Sequence, residues 1–247
     1  MMQETAWLGR TKLLIGQESL DTLMKSNVLV VGMGGVGSFA AEFIARAGVG
    51  KMTIVDGDVV DPTNRNRQLP ALATTHGVSK VEWMAQRIRE INPEIELTVK
   101  NEFLRVQQSK ALVLENEFDY VIDCIDSITP KITILSTCFF NGIPVVSSMG
   151  AGGKMDPTQI RVVDISKTYN DALAYYVRKR LKKAKIYKGI KTVFSPEQAP
   201  PNSLMMTDGN NFKKSAYGTM SYLPAAFGGA CASVVIRDLV NWKEIKH

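Results

Sequence analysis

The chain has 247 residues, 45% hydrophobic and 22% charged, an ordinary globular composition with enough apolar residues to bury a sizeable core. Its formal charge of +6 suits a polyanionic partner without requiring one. The three cysteines (Cys124, Cys138 and Cys231) form no CxxC pair, which excludes a four-cysteine zinc knuckle and a disulfide framework and leads us to expect a reducing cytoplasm.

In chain order, the first ten residues lack the charged-then-apolar pattern of an export signal. Residues 26–31, "SNVLVV", form a continuous apolar run, as a strand does in a parallel sheet covered on both faces. A glycine-rich turn follows, and residues 36–47 place Val36, Phe39, Ala40, Phe43, Ile44 and Ala47 at helical spacing. Residues 51–56 predict a second strand. Residues 79–91 predict an amphipathic helix stopped by Asn92-Pro93, and 94–100 an alternating strand. Residues 119–126, "DYVIDCID", predict a third apolar strand ending in acid. Residues 132–142 then read as a helix closed by Gly142, and 143–153 as a strand running into a glycine-rich loop.

This alternation predicts an α/β fold: a doubly wound, Rossmann-like, mostly parallel sheet over residues 1–165. After Asp156-Pro157 the rhythm breaks, and residues 166–247 are expected to form a basic and helical extension packed on that sheet. Segment 178–191 carries eight Lys or Arg, either a solvated face or a nucleic-acid contact. The apolar stretch 222–236 contains Pro224, Gly228 and Gly229 and is short for a membrane span, so we expect a buried helix and no firm membrane association.

Gly32, Gly34, Gly35 and Gly37 lie between the first strand and its helix, where backbone N–H groups and a helix N-terminus can face a phosphate. Asp56 closes the second strand, the position that accepts hydrogen bonds from a ribose. A hydride-transfer enzyme would also need a nicotinamide site and often a histidine. His76, expected in a loop, and the terminal His247 are the only candidates. The residues after Asp56 suit a triphosphate instead. Arg67 and Lys80 supply cations, Asp58 and Asp126 are carboxylates able to hold magnesium at strand ends, and Asn64 and Gln68 are neutral donors. The alternatives are structural: Lys80 opening a helix in solvent, and Asp126 capping the next helix.

In order and spacing, "GMGGVG … VDGDVVDPTNRNRQ … SK … DCIDS" resembles the ubiquitin-activating-enzyme superfamily, which includes bacterial adenylyltransferases for thiamine and molybdopterin sulfur carriers. The resemblance covers about residues 7–165. Within it, "GRTKLLIG", "NPEIELTV", "YVIDCIDSITPK" and "GAGGKMDPTQIRVVDISKT" are most similar to the tRNA threonylcarbamoyladenosine dehydratases. The resemblance implies ATP as the nucleotide, contacted by Gly35 and Asp56. Asn64, Arg67 and Lys80 would hold its phosphates, and Asp126 a magnesium ion. It implies a homodimer in which Arg10 reaches the neighbouring subunit's site, and, from the wider superfamily, sulfur-relay partners of the cysteine-desulfurase type. The reaction implied is adenylation of the threonyl carboxylate of N6-threonylcarbamoyladenosine at tRNA position 37, followed by cyclisation. The rival within the same chemistry is adenylation of a ubiquitin-like carrier's terminal glycine, and a third reading is a non-catalytic interaction protein on the same fold. Carrier-activating relatives commonly bear paired CxxC zinc ligands and often a nucleophilic cysteine in a mobile loop. Here the pairs are absent and residues 190–222 hold no cysteine, so neither structural zinc nor covalent thiol chemistry is expected. With tRNA as substrate, the expected phosphate contacts are Arg178, Arg180, Lys182, Lys183 and Lys185.

Overall fold

The computed structural model describes residues 6–206 and 215–243, so His247 lies outside the described residues. An N-terminal arm of α1 (Gly9–Ile15) and α2 (Gln17–Lys25) leads into β1 (Asn27–Val31), α3 (Gly37–Arg46) and β2 (Lys51–Val55). A long loop then reaches α4 (Lys80–Ile91), β3 (Glu96–Lys100), α5 (Val106–Leu114) and β4 (Tyr120–Asp123). Next come α6 (Ile128–Phe140), β5 (Val145–Ser148), β6 (Arg161–Asp164), α7 (Ala172–Lys183) and β7 (Lys191–Phe194). The hairpin β8 (Leu204–Met206) and β9 (Ser215–Tyr217) precedes α8 (Tyr222–Leu239).

The main sheet has the order β3-β2-β1-β4-β5-β7-β6, with every pairing parallel except that of β6 with β7. Successive residues of a strand face opposite sides, and here both sides are covered. Val28 and Val30 of β1 enter one core with residues of α3, α4 and α8, while Leu29 and Val31 enter the other with residues of α5, α6 and α7. That is why the strands read as unbroken apolar runs. The expected residue-165 boundary falls in a short 3-10 turn, Ile165–Lys167. Beyond it β7 inserts between β5 and β6, and α8 packs against α3. That crossing is close: a Cβ on Gly228 would lie 2.6 Å from the Val36 carbonyl oxygen.

The expected strands are shorter than read, and β4 stops at Asp123, leaving Cys124 just beyond it. The α6 helix begins a turn earlier than expected, with Pro130 in its first turn, where a missing N–H costs nothing. The apolar stretch 222–236 does form a helix, and no helix among the described residues is long and apolar enough to cross a membrane.

Candidate functional site

The strand order reverses between β1 and β4, and the carboxyl ends of these strands open the crevice where ligands enter such sheets. The glycine turn sits there. Gly32 has φ +93°, in the left-handed region that favours glycine. A Cβ on Gly37 would lie 1.7 Å from the Gly32 carbonyl oxygen, so that glycine lets the first turn of α3 press on the strand end. On Gly35 it would meet Pro224 of α8 at 2.9 Å. Gly34 differs: a Cβ there would make only an ordinary contact with Gln68 Nε2, at 3.9 Å.

Asp56 braces the turn. Its Oδ2 accepts from the Met33 N–H at 2.6 Å and its Oδ1 from the Asp58 N–H at 2.7 Å. Burial pushes its carboxyl above the usual carboxylate range, against the pull of those two amides and Lys80. Any ribose hydroxyl would therefore use the remaining lone pairs of oxygens that already hold the backbone.

Two cations flank the turn. Lys80, the first residue of α4, is only 4% exposed, and its Nζ lies 3.0 Å from Asp58 Oδ2. It is not a solvated helix start. Arg67 is half-buried, and its Nη1 donates to the Thr63 carbonyl and to Asn66 Oδ1, each at 2.9 Å. Burial lowers its basicity, opposed by the charges of Asp126 and Asp61. The charge of Asp126 thus acts on Arg67, so the two ends of the sequence motif lie close enough to interact. Asp126 is exposed, and the N-cap position of α6 is held by Ser127, whose side chain makes no capping hydrogen bond.

Asn64 is buried, and its Oδ1 accepts from the Asp61 N–H, completing a capping box that shapes the loop. Gln68 is buried with its Nε2 toward Gly34, and its Oε1 is a buried acceptor with no hydrogen-bond partner. Such an atom costs about 1–3 kcal/mol unless a ligand or water satisfies it. Arg10 stands apart on α1, exposed, and its side chain makes no hydrogen bond or ion pair with the described residues. No cluster of three or more His, Cys, Asp or Glu suited to a metal occurs among the described residues.

Two parts of the site escaped the sequence reading. Below Asp126, Lys131 and Asp123 are both 0% exposed and their charged atoms lie 2.7 Å apart. Ser147 donates to Asp123 Oδ2 at 2.6 Å, and Lys131 Nζ also donates to the Ile125 carbonyl at 2.9 Å. The peptide preceding Asp126 is thus clamped from beneath. Above, the segment after β9 roofs the crevice: the Thr219 carbonyl accepts from Asn66 Nδ2 at 2.9 Å, and the Gly218 carbonyl from the Gly153 N–H at 2.7 Å. The spacing Asp123-x7-Lys131 held a signal for the first. Nothing in a Pro-, Asn- and Ser-rich stretch signals the second.

The cysteines are placed for packing. Burial pushes the Cys138 thiol up to about 12, and a hydrogen bond with Cys231 together with burial raises Cys124. Both are poor nucleophiles. In the basic segment, Arg180, Lys182 and Lys183 of α7 and Lys185 beyond it are exposed, whereas Arg178 is half-buried and donates to Thr168 Oγ1.

Comparison with known proteins matches residues 9–247 to the ThiF family model. The tRNA threonylcarbamoyladenosine dehydratase of Bacillus subtilis (strain 168) is 42% identical over 245 residues, covering 96% of each chain. The crystal structure of E. coli tRNA N6-threonylcarbamoyladenosine dehydratase, TcdA, in complex with ATP superposes with a TM-score of 0.86 at 38% identity, covering 96% of this chain and 95% of that one. The molybdopterin-synthase adenylyltransferase of Escherichia coli (strain K12) is 37% identical over 161 residues, 65% of this chain and 60% of that one.

Proposed function

The chain belongs to the ThiF family, and we infer that it is an ATP-dependent tRNA threonylcarbamoyladenosine dehydratase. One observation carries the reading: the Bacillus subtilis dehydratase matches 96% of both chains, whereas the carrier-type adenylyltransferase matches only 65% of this one. The basic segment 178–191 of the C-terminal third would suit a tRNA substrate.

The threonyl carboxylate attacks the α-phosphorus of ATP, forming an acyl adenylate and releasing pyrophosphate. An internal nucleophile of the same modified nucleoside then attacks the activated carbonyl carbon, closing a ring and expelling AMP. The net change in the tRNA is loss of one water. Because the attacking group is already tethered, effective molarity replaces an enzymic nucleophile, in keeping with the high thiol pKa values. The N–H groups at the turn of Gly32, Gly34, Gly35 and Gly37 cradle the phosphates. Lys80 and Arg67 offset the charge that builds as the α–β phosphate bond breaks. Gln68 Oε1 accepts a hydrogen bond from the nucleotide, and Asp56 orients the ribose while bracing the turn.

Magnesium takes one or two carboxylates and completes its shell with phosphate oxygens and water, so Asp126 would hold it together with the nucleotide, while Asp58 is already paired with Lys80. When bound the ion would withdraw charge from the leaving pyrophosphate. Leu13 and Leu14 of α1 are 87% and 71% exposed beside Arg10, an apolar face that supports a homodimer in which Arg10 enters the partner's crevice. Co-purification with a cysteine desulfurase tests the sulfur-relay partner implied by the superfamily.

The test of the function is mass spectrometry of nucleosides from total tRNA with and without the gene, and from tRNA treated with the purified protein and ATP–magnesium. The water-deficient cyclic nucleoside should vanish without the gene and reappear with the protein. An unchanged profile in both would overturn the assignment.

A further inference from the structure

The outward face of α7 is not uniformly basic. Ala174, Val177 and Leu181 seat the helix on the sheet, and the opposite face presents Tyr175, Tyr176, Lys179, Arg180, Lys182 and Lys183. Tyr175 and Tyr176 are 52% and 51% exposed, their rings edge-on with centroids 5.3 Å apart at 74°. From 172 to 191 the chain contains no acidic residue. Adjacent exposed aromatics among cations match the chemistry of an unpaired RNA strand, whose bases stack on rings while its phosphates meet lysines.

The direction of the helix orders these groups. Asp171 caps its first turn through the Ala174 N–H, and Asp171 Oδ2 lies 3.2 Å from Lys154 Nζ in the glycine loop beyond β5. The N-terminal end of α7 is therefore at the carboxyl edge of the sheet, on the side of the crevice. Its C-terminal end turns back to start β7 at the opposite edge. Side chains on a helix lean toward its N-terminus, so the tyrosines, on the face turned away from the sheet, lean toward its carboxyl edge, and the cations follow about 5–12 Å behind. An RNA hairpin lying along this face with its loop toward the carboxyl edge of the sheet would meet rings first and cations along its stem.

We propose that Tyr175 and Tyr176 form a stacking platform for unpaired anticodon-loop bases next to the modified adenosine, with Lys179, Arg180, Lys182 and Lys183 holding the adjoining phosphates. This rests on tRNA being the substrate of the crevice. The platform supplies affinity without base-edge readout, because every base offers a π-face. It also holds the loop open, so the modified adenosine can be presented splayed to the nucleotide.

The test uses the full-length protein and an anticodon stem-loop carrying 2-aminopurine beside the target adenosine, with fluorescence quenching as the signature of stacking. Tyr175→Ala/Tyr176→Ala should weaken binding by about tenfold or more and abolish the quenching, while leaving the salt dependence of binding and the thermal shift by ATP unchanged. Tyr175→Phe/Tyr176→Phe should bind and quench as the parent does, since stacking needs the ring and not the hydroxyl. Lys182→Glu/Lys183→Glu should instead flatten the salt dependence. If the alanine pair binds and quenches normally while the parent protein converts tRNA, the platform is overturned and the function stands. If the parent neither converts nor binds tRNA, both fall.

Discussion

Lys131→Met removes one partner of the ion pair buried beneath Asp126. The side chains of Lys131 and Asp123 have no exposed surface, so the remaining carboxylate cannot recover water. Breaking a pair of this kind costs about 3–5 kcal/mol, mostly as the uncompensated charge. For a chain of this size that corresponds to a fall in melting temperature of about 6–20 °C. Thermal unfolding by circular dichroism at neutral pH measures it, beside ATP–pyrophosphate exchange with substrate tRNA. The double variant Asp123→Leu/Lys131→Met removes both charges and should recover part of the loss, because apolar replacement of a buried pair is often neutral. About 1–3 kcal/mol should remain, since the Ile125 carbonyl and the Ser147 hydroxyl lose their partners. Exchange should not recover with stability, because the peptide leading into Asp126 is no longer clamped. A single variant melting within about 2 °C of the parent, or a double variant with full turnover, would refute this account of the crevice floor.

The glycine turn separates into packing and ligand positions. Gly37→Ala places its Cβ on the Gly32 carbonyl and should prevent accumulation of folded protein, whereas Gly34→Ala should keep stability within about 0.5 kcal/mol and lose the thermal shift given by ATP–magnesium. A normal ATP shift for Gly34→Ala would move the phosphates away from this turn. For the dimer, Arg10→Ala and Lys80→Ala proteins mixed under subunit exchange should regain about a quarter to a half of parental turnover. The Lys80 variant alone should also lose about 1–3 kcal/mol of stability, since its ammonium is buried against Asp58. No complementation despite proven exchange would place Arg10 in its own chain's site or in none.

The pattern "VVGMGGVG … VDGD … DCID" was enough to read a doubly wound sheet with a phosphate-facing turn, because its physics is local. Strands covered on both faces must be apolar throughout, and a strand-to-helix turn approached by an anion must lack side chains. The candidates Arg67, Lys80 and Asp126 were legible for a related reason: charged residues at strand ends and loop starts, next to such a turn, suit a polyanion better than a core. The split near residue 165 was legible only as a change of rhythm. Nothing local announces that β7 enters the sheet between β5 and β6, since a short run such as "KTVF" gains its place from partners far away in sequence.

By itself, then, the sequence determined the sheet, the turn and the set of charges. Tertiary structure decided how those charges are shared. It paired Lys80 with Asp58 rather than leaving it in solvent, and committed both Asp56 oxygens to backbone amides. It buried Lys131 against Asp123, and drew the segment after β9 across the crevice to Asn66. Each of these is a contact between residues distant in the chain, and its energy depends on how much water the fold removes from the pair. Residue type and spacing specify which groups can meet; only packing sets the dielectric in which they do.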